Sequence, residues 1–215
     1  MVNLLGRKWL QLRRRIRWAI GKGWDLNDFA GRYDSRVGDS WSYTTDPAHE
    51  MRLQRILNAL SPLAGKRVLE LGCAEGFITR EMAKQAARVV ACELSPLAAE
   101  RTRISCDGLP VQIIAGDIRS CLPDEKFDLI LASDVFYYLT SDELSRVVRS
   151  LAQRGDTDCR LIMANEWNGS YSQLTSPDQI IKTISDTLQW HVINKDMAEN
   201  SIGSHTIATF ALVPK

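Results

Sequence analysis

The chain has 215 residues, 45% hydrophobic and 25% charged, enough for one domain with a full core and an appendage. Its net charge of +1 is unevenly spread: residues 1–24 hold Arg7, Lys8, Arg13, Arg14, Arg15, Arg17 and Lys22, with no acid before Asp25, so the remainder is an acidic body that does not look like a nucleic-acid binder. The five cysteines form no C-x-x-C pair, no apolar run approaches the roughly 20 residues of a membrane span, and arginines interrupt every candidate signal-peptide core; the expectation is a soluble cytoplasmic protein with reduced thiols.

The first element, LLGRKWLQLRRRIRWAIGKGW, has helical period. Leu5, Trp9, Leu12, Ile16 and Ile20 share one face, Arg7, Arg14, Arg15 and Arg17 face away, and Gly21 and Gly23 stop the helix. Residues 24–45 read as a cap or loop. TTDPAHEMRLQRILNAL predicts a helix capped by Asp46, with Pro47 in its first turn and a buried stripe of Leu53, Ile56, Leu57 and Leu60. Strands and helices then alternate: strand 67–71, helix 76–86, strand 88–94, a helix opened by Ser95-Pro96, strand 111–115 and strand 127–133. Capping-box spacing at Thr140/Glu143 starts a helix through Leu151, followed by the buried strand 159–165. A second box, Ser176/Gln179, starts another helix, and the runs 190–195 and 205–213 suggest a closing antiparallel pair. The pattern predicts an α/β fold with a parallel sheet covered on both faces, and ligands outside the carboxyl ends of the strands. Three regions result: a basic amphipathic helix at 1–24, a cap segment at 25–45 and the main domain at 46–215.

The stretch VLELGCAEGF (Val68–Phe77) is a strand running into a glycine turn, with an acid, Glu93, ending the next strand. Dinucleotides want G-x-G-x-x-G there, so that pyrophosphate rests on a helix N-terminus. Here the middle glycine is Ala74, and Glu70 and Glu75 would repel a pyrophosphate by an energy on the order of kcal/mol. The same acids suit S-adenosylmethionine, which brings a sulfonium and an ammonium. Glu93 can accept from both ribose hydroxyls, and Asp117 in AGDI can accept from the adenine amine.

ELGCAEG, the acid in ACELS, AGDI and FDLILASDVFYYL together resemble the successive motifs of class I S-adenosylmethionine-dependent methyltransferases over about residues 40–215. The chain resembles the nodulation-type N-methyltransferases and their small-molecule relatives in particular, with S-[DE]-V-x-YYL and an upstream D-x-W like Asp39-Ser40-Trp41. Ala74 departs from the family's middle glycine. The resemblance implies a Rossmann-like, doubly wound, seven-stranded, mostly parallel sheet with an antiparallel C-terminal strand. It implies S-adenosyl-L-methionine as cofactor and a site lined by Glu70, Gly72, Gly76, Glu93, Asp117 and Ile118. Ala74, Leu94 and Ser133 complete that lining, with Tyr33 and Trp41 from the cap segment.

Methyl transfer needs alignment and exclusion of water, and a base only when the nucleophile arrives protonated. Candidates follow the fourth strand: Asp134, Tyr137 and Tyr138, although either tyrosine can instead pack under the next helix. His49, in the first turn of its helix, is the favoured histidine; His191 and His205 read as strand-end residues. Asn165, Glu166 and Trp167 are candidates for the acceptor pocket, and in RYDSRVGDSWSYTT, Tyr33, Trp41 and Tyr43 would supply a wall and Arg32 or Arg36 a contact to a carboxylate. No metal-ligand pattern is present. With Ser133-Asp134-Val135-Phe136 in place of N-P-P-Y, the expected acceptor is a small molecule or saccharide, including a lipid-linked one, rather than nucleic acid, and is methylated at nitrogen or oxygen. A NAD(P)-dependent oxidoreductase, disfavoured by Glu75 and a missing third glycine, and a non-catalytic scaffold are the alternatives. The basic helix admits three readings: peripheral contact with the inner membrane face, packing of its apolar stripe on the domain or a second subunit, or an organellar presequence.

Overall fold

A computed structural model describes residues 4–29, 32–33, 39–44, 46–167, 175–200 and 203–213. Helix α1 (Leu4–Ala19) and a 3-10 turn (Leu26–Phe29) precede α2 (Pro47–Leu60), whose N-cap Asp46 accepts the Ala48 N–H. Then follow β1 (Arg67–Leu71), α3 (Phe77–Ala83), β2 (Arg88–Glu93), α4 (Pro96–Ser105), β3 (Val111–Ala115) and β4 (Phe127–Ser133). A 3-10 turn (Phe136–Tyr138) leads to α5 (Ser141–Arg154), β5 (Gly155–Trp167), α6 (Pro177–Ser185), β6 (Trp190–Asn200) and β7 (Gly203–Leu212). Both capping boxes form as the spacing predicts.

The seven strands are ordered β3-β2-β1-β4-β5-β7-β6. The first five pair in parallel, while β7 runs antiparallel to both β5 and β6. Alternate residues of each strand enter opposite layers. Leu69, Leu71, Ile130, Leu161 and Phe210 pack with α5 and α6, and Val68, Leu129, Leu131 and Ile162 pack with α2 and α3. Strand order reverses at β1, so the crevice lies beyond the carboxyl ends of β1 and β4. Strands β5 and β6 are longer than their apolar runs, because hydrogen bonding carries them into polar sequence at Gly155–Asp158 and Asp196–Asn200.

Helix α1 corrects one expectation. The sequence puts Arg14 and Arg17 on a face turned outward, and one of its readings lays the apolar stripe on the domain. In the structure Arg13, Arg14 and Arg17 face the body, while Arg15 is exposed as expected. Arg13 and Arg17 pair with Asp25 and with the fully buried Asp28, and Arg14 lies 3.7 Å over the Trp24 ring. Trp9, Leu12, Ile16 and Ile20 are each more than half exposed. A buried carboxylate without a cation costs several kcal/mol, which outweighs leaving this stripe in water. The side chains of Leu5 and Arg7 lie outside the described residues.

Candidate active site

The glycine turn after β1 is built by close packing. Gly72 (φ +69°) leaves no room for a Cβ against Val135, and at Gly76 (φ +83°) a Cβ would stand 2.7 Å from Thr102 Cγ2. The two glycines therefore bring the turn against the start of the post-β4 loop and against α4. Ala74 is itself left-handed, at φ +51°. That conformation costs an alanine about 1–2 kcal/mol, partly offset in any comparison by the about 0.4–1 kcal/mol of extra freedom glycine gives the unfolded chain. Ala74→Gly is expected to stabilise the protein by about 0.5–1 kcal/mol, read as a higher urea midpoint at unchanged slope.

Around this turn sit four acids with different duties. Glu93, buried at the end of β2, accepts the Ala74 N–H on one oxygen at 2.9 Å and the Ser95 N–H on the other at 2.8 Å. Burial lifts its carboxyl to about 7 despite those bonds. Glu70 faces α3, accepts the Thr79 hydroxyl at 2.5 Å, and is likewise pushed up to about 7 by burial. Glu75 is committed within the protein: it ion-pairs with Arg101 and accepts the Ser40 N–H at 2.6 Å. Its charge is thus answered, and the electrostatic preference of the turn falls to Glu70 and Glu93. Asp117 is gripped by Arg119 through both carboxylate oxygens, and Arg119 also reaches Glu143 at 2.8 Å and the Trp24 carbonyl at 2.9 Å.

The cap segment folds onto this ring. Asp39 accepts the N–H groups of Tyr43 and Thr44, making the turn that lets Ser40 tether to Glu75. Tyr33 accepts the Trp41 indole N–H at 3.1 Å, and its hydroxyl is raised by burial and by the nearby Glu93 charge. Arg32 lies 4.2 Å over the Trp41 ring, and Tyr43 stacks on Phe77 at 5.1 Å. Arg36 lies outside the described residues. Leu94 is half-buried beside Glu93, and Ile118 joins the core.

A second cluster gathers at the ends of β4, β5 and β7. Asp134, at φ +53°, donates its N–H to the Ala164 carbonyl at 2.8 Å, accepts the Glu166 N–H at 2.8 Å and ion-pairs with Arg52 of α2. Arg52, buried, also donates to Ser133 Oγ at 2.7 Å and to His205 Nε2 at 3.1 Å. Burial works against its charge, and the surrounding groups, Asp134 foremost with Tyr43, Tyr137 and Glu166, together more than restore it. His205 is driven down to about 3 by burial and by Arg52 and Arg55, so it stays neutral and is no base at neutral pH. Glu166 is half-buried, and its carboxyl is raised by burial and by Asp134. His49 packs edge-on against Tyr43, 4.8 Å away. Both amide atoms of the neighbouring Asn165 are buried without a hydrogen-bond partner.

Tyr137 is placed under α5 and α6, within the core, its hydroxyl held well above the ordinary phenol range by burial. Tyr138 packs against Trp24 and Phe29. Asp134, Ser133, Glu166 and His49 are therefore brought towards one cluster, while Tyr137 stands behind it. Sequence reasoning missed Arg52. Its signal is its place on the α2 stripe, one turn before Ile56 and beside Leu53, where an arginine needs a buried acid.

Residues 68–155 match the family of methyltransferase domains. With this strand order and glycine turn, the chain is similar over those residues to methyltransferase domains of the class I S-adenosylmethionine-dependent kind. Nodulation protein S of Bradyrhizobium diazoefficiens is 30% identical over 133 residues, covering 60% of this chain and 63% of that protein. Magnesium-protoporphyrin O-methyltransferase of Rhodobacter capsulatus is 31% identical over 127 residues, 56% of this chain and 55% of that one. The chain thus spans less than two thirds of the length of these curated relatives. The N-methyltransferase NodS from Bradyrhizobium japonicum, solved with S-adenosyl-L-homocysteine, shares the fold at a TM-score of 0.73 and 20% identity, covering 81% of this chain and 92% of that one. A S-adenosylmethionine-dependent methyltransferase of Leishmania major does so at 0.74 and 17% identity, covering 90% and 89%.

Proposed function

We propose that the protein transfers a methyl group from S-adenosylmethionine to a nitrogen or oxygen of a small-molecule or saccharide acceptor, a class that includes lipid-linked saccharides. The observation that carries this reading is Glu93. It stands at the end of β2 beside the glycine turn, its two oxygens held by the Ala74 and Ser95 backbone N–H groups, where the carboxylate can accept from a pair of vicinal hydroxyls. Glu70 and Glu93 make the surroundings suited to a cationic ligand and unsuited to a pyrophosphate. Asp117, held flat by Arg119, offers an acceptor to an exocyclic amine.

When bound, the cofactor supplies an electrophilic methyl on a sulfonium. This chain's residues then have to seat the acceptor and take its proton. Glu166 suits the proton-accepting role, because burial and the Asp134 charge weaken its acidity and it holds a proton more readily than an exposed glutamate. Asp134, clamped by Arg52, keeps the end of β4 in its left-handed turn and pins the Glu166 backbone. The unpaired amide of Asn165 adds an NH2 donor group and a carbonyl acceptor for a polar acceptor group. Cap residues Tyr33, Trp41 and Tyr43 exclude water from the turn.

Calorimetry on the full chain tests the reading. S-adenosylmethionine and S-adenosylhomocysteine are expected to bind, and NAD to bind far more weakly. Tight binding of NAD alone would overturn the proposal in favour of an oxidoreductase. Binding of none of the three would favour a scaffold.

A further inference from the structure

The amphipathic helix α1 is mounted with its polar side inward. Trp9, Leu12, Ile16 and Ile20 recur at spacings of three and four residues, so they form one stripe, and their exposures are 63%, 56%, 53% and 62%. This orientation is enforced. Arg13 and Arg17 pair with Asp25 and Asp28, the Arg17 guanidinium donates to the Gly23 carbonyl at 2.8 Å, and Arg14 covers Trp24. Turning the stripe inward would strip the fully buried Asp28 of its cations.

Lys8 and Arg15, exposed along one flank of the stripe, and Lys22 just beyond the helix add positive charge, and residues 1–24 contain no carboxylate. We propose that α1 is a docking face for an anionic lipid surface: the stripe enters the boundary between headgroups and acyl chains, and the flanking cations meet the headgroups. A second copy of the chain fits less well. Antiparallel pairing of two such stripes sets Lys8 against the same basic flank of the copy, and the helix carries no acid that could pair across the seam. Among the described residues no helix is long and apolar enough to cross a membrane, so the contact is one of lying on the surface.

The mounting also fixes where the crevice would be. The Gly23 N–H donates to Glu143 at 2.8 Å, the Trp24 N–H to the Tyr138 carbonyl at 2.9 Å, and the Trp24 carbonyl is held by Arg119, the residue that grips Asp117. Docking through α1 therefore brings the carboxyl end of the sheet close to the lipid, where an acceptor carried on a lipid would be found. The docking itself does not depend on the methyl-transfer reading.

Co-sedimentation of the full chain with vesicles tests it. Binding is expected to phosphatidylcholine vesicles containing phosphatidylglycerol, to weaken with added salt, and to be much poorer with phosphatidylcholine alone. Leu12→Glu/Ile16→Glu is expected to lower partitioning by about tenfold or more with an unchanged thermal midpoint, because neither side chain is packed. Lys8→Gln/Arg15→Gln is expected to remove the preference for phosphatidylglycerol. Equal partitioning of wild type and Leu12→Glu/Ile16→Glu would overturn the proposal. So would a wild-type dimer that ignores vesicles and dissociates in that variant, which would mark the stripe as a contact between copies.

Discussion

Arg52→Met is expected to destabilise the protein by about 3–5 kcal/mol, the range for removing one partner of a buried ion pair. Methionine fills much of the space of the arginine stem, so the loss is electrostatic. Asp134 is left with a charge in a site of low exposure, and Ser133 and His205 each lose a donor. Asp134 cannot swing out to water, because its other oxygen accepts the Glu166 N–H and its backbone is bonded to Ala164. Arg52→Met/Asp134→Asn is expected to recover about 2 kcal/mol, since asparagine tolerates the left-handed backbone and keeps the bond to Glu166. Urea midpoints of the two variants check this. A double variant no more stable than the single one would show that the pair is not the source of the loss. His205 supplies an independent readout. Its pKa, about 3 through burial and the two arginines, is expected to climb towards the ordinary histidine range once Arg52 is gone, as an NMR titration would show.

Whether a feature was legible in the sequence followed from the range of the interaction that makes it. The apolar runs at 67–71, 111–115 and 127–133 became strands with those bounds, and both capping boxes formed, because each depends on neighbours within a few residues. The acid at the end of β2 was found for the same reason: strand period and the turn fix its place. Arg52 escaped because its partner is 82 residues away. The mounting of α1 escaped because helical period says which residues share a face and nothing about which face is docked. Only the fully buried Asp28 decides that. Glu75 shows a third kind of limit. Its charge was legible and its place in the turn correct, but Arg101 and Ser40, which use that charge, lie 26 and 35 residues away.

Removal of the Glu93 carboxylate is expected to weaken S-adenosylhomocysteine binding by about 1–3 kcal/mol, roughly 5- to 150-fold. Glu93→Ala also takes an acceptor from the Ala74 and Ser95 N–H groups, so lower affinity alone would not separate a contact from a loosened turn. The pH profile separates them. Burial holds this carboxyl at about 7 in the free protein, and hydroxyl donors favour its ionised form. Binding must therefore expel a proton below pH 7, and affinity is expected to fall up to about tenfold per unit as pH drops through 6. Above 7 the group is already ionised, and affinity levels off. Glu70, also raised to about 7, is bonded to Thr79, so Glu70→Gln is expected to keep most of the slope, whereas Glu93→Gln is expected to flatten it. A profile of unchanged slope in Glu93→Gln would move the hydroxyl contact elsewhere. A slope lost only in Glu70→Gln would place the titrating group behind the turn, on the face of the sheet covered by α3.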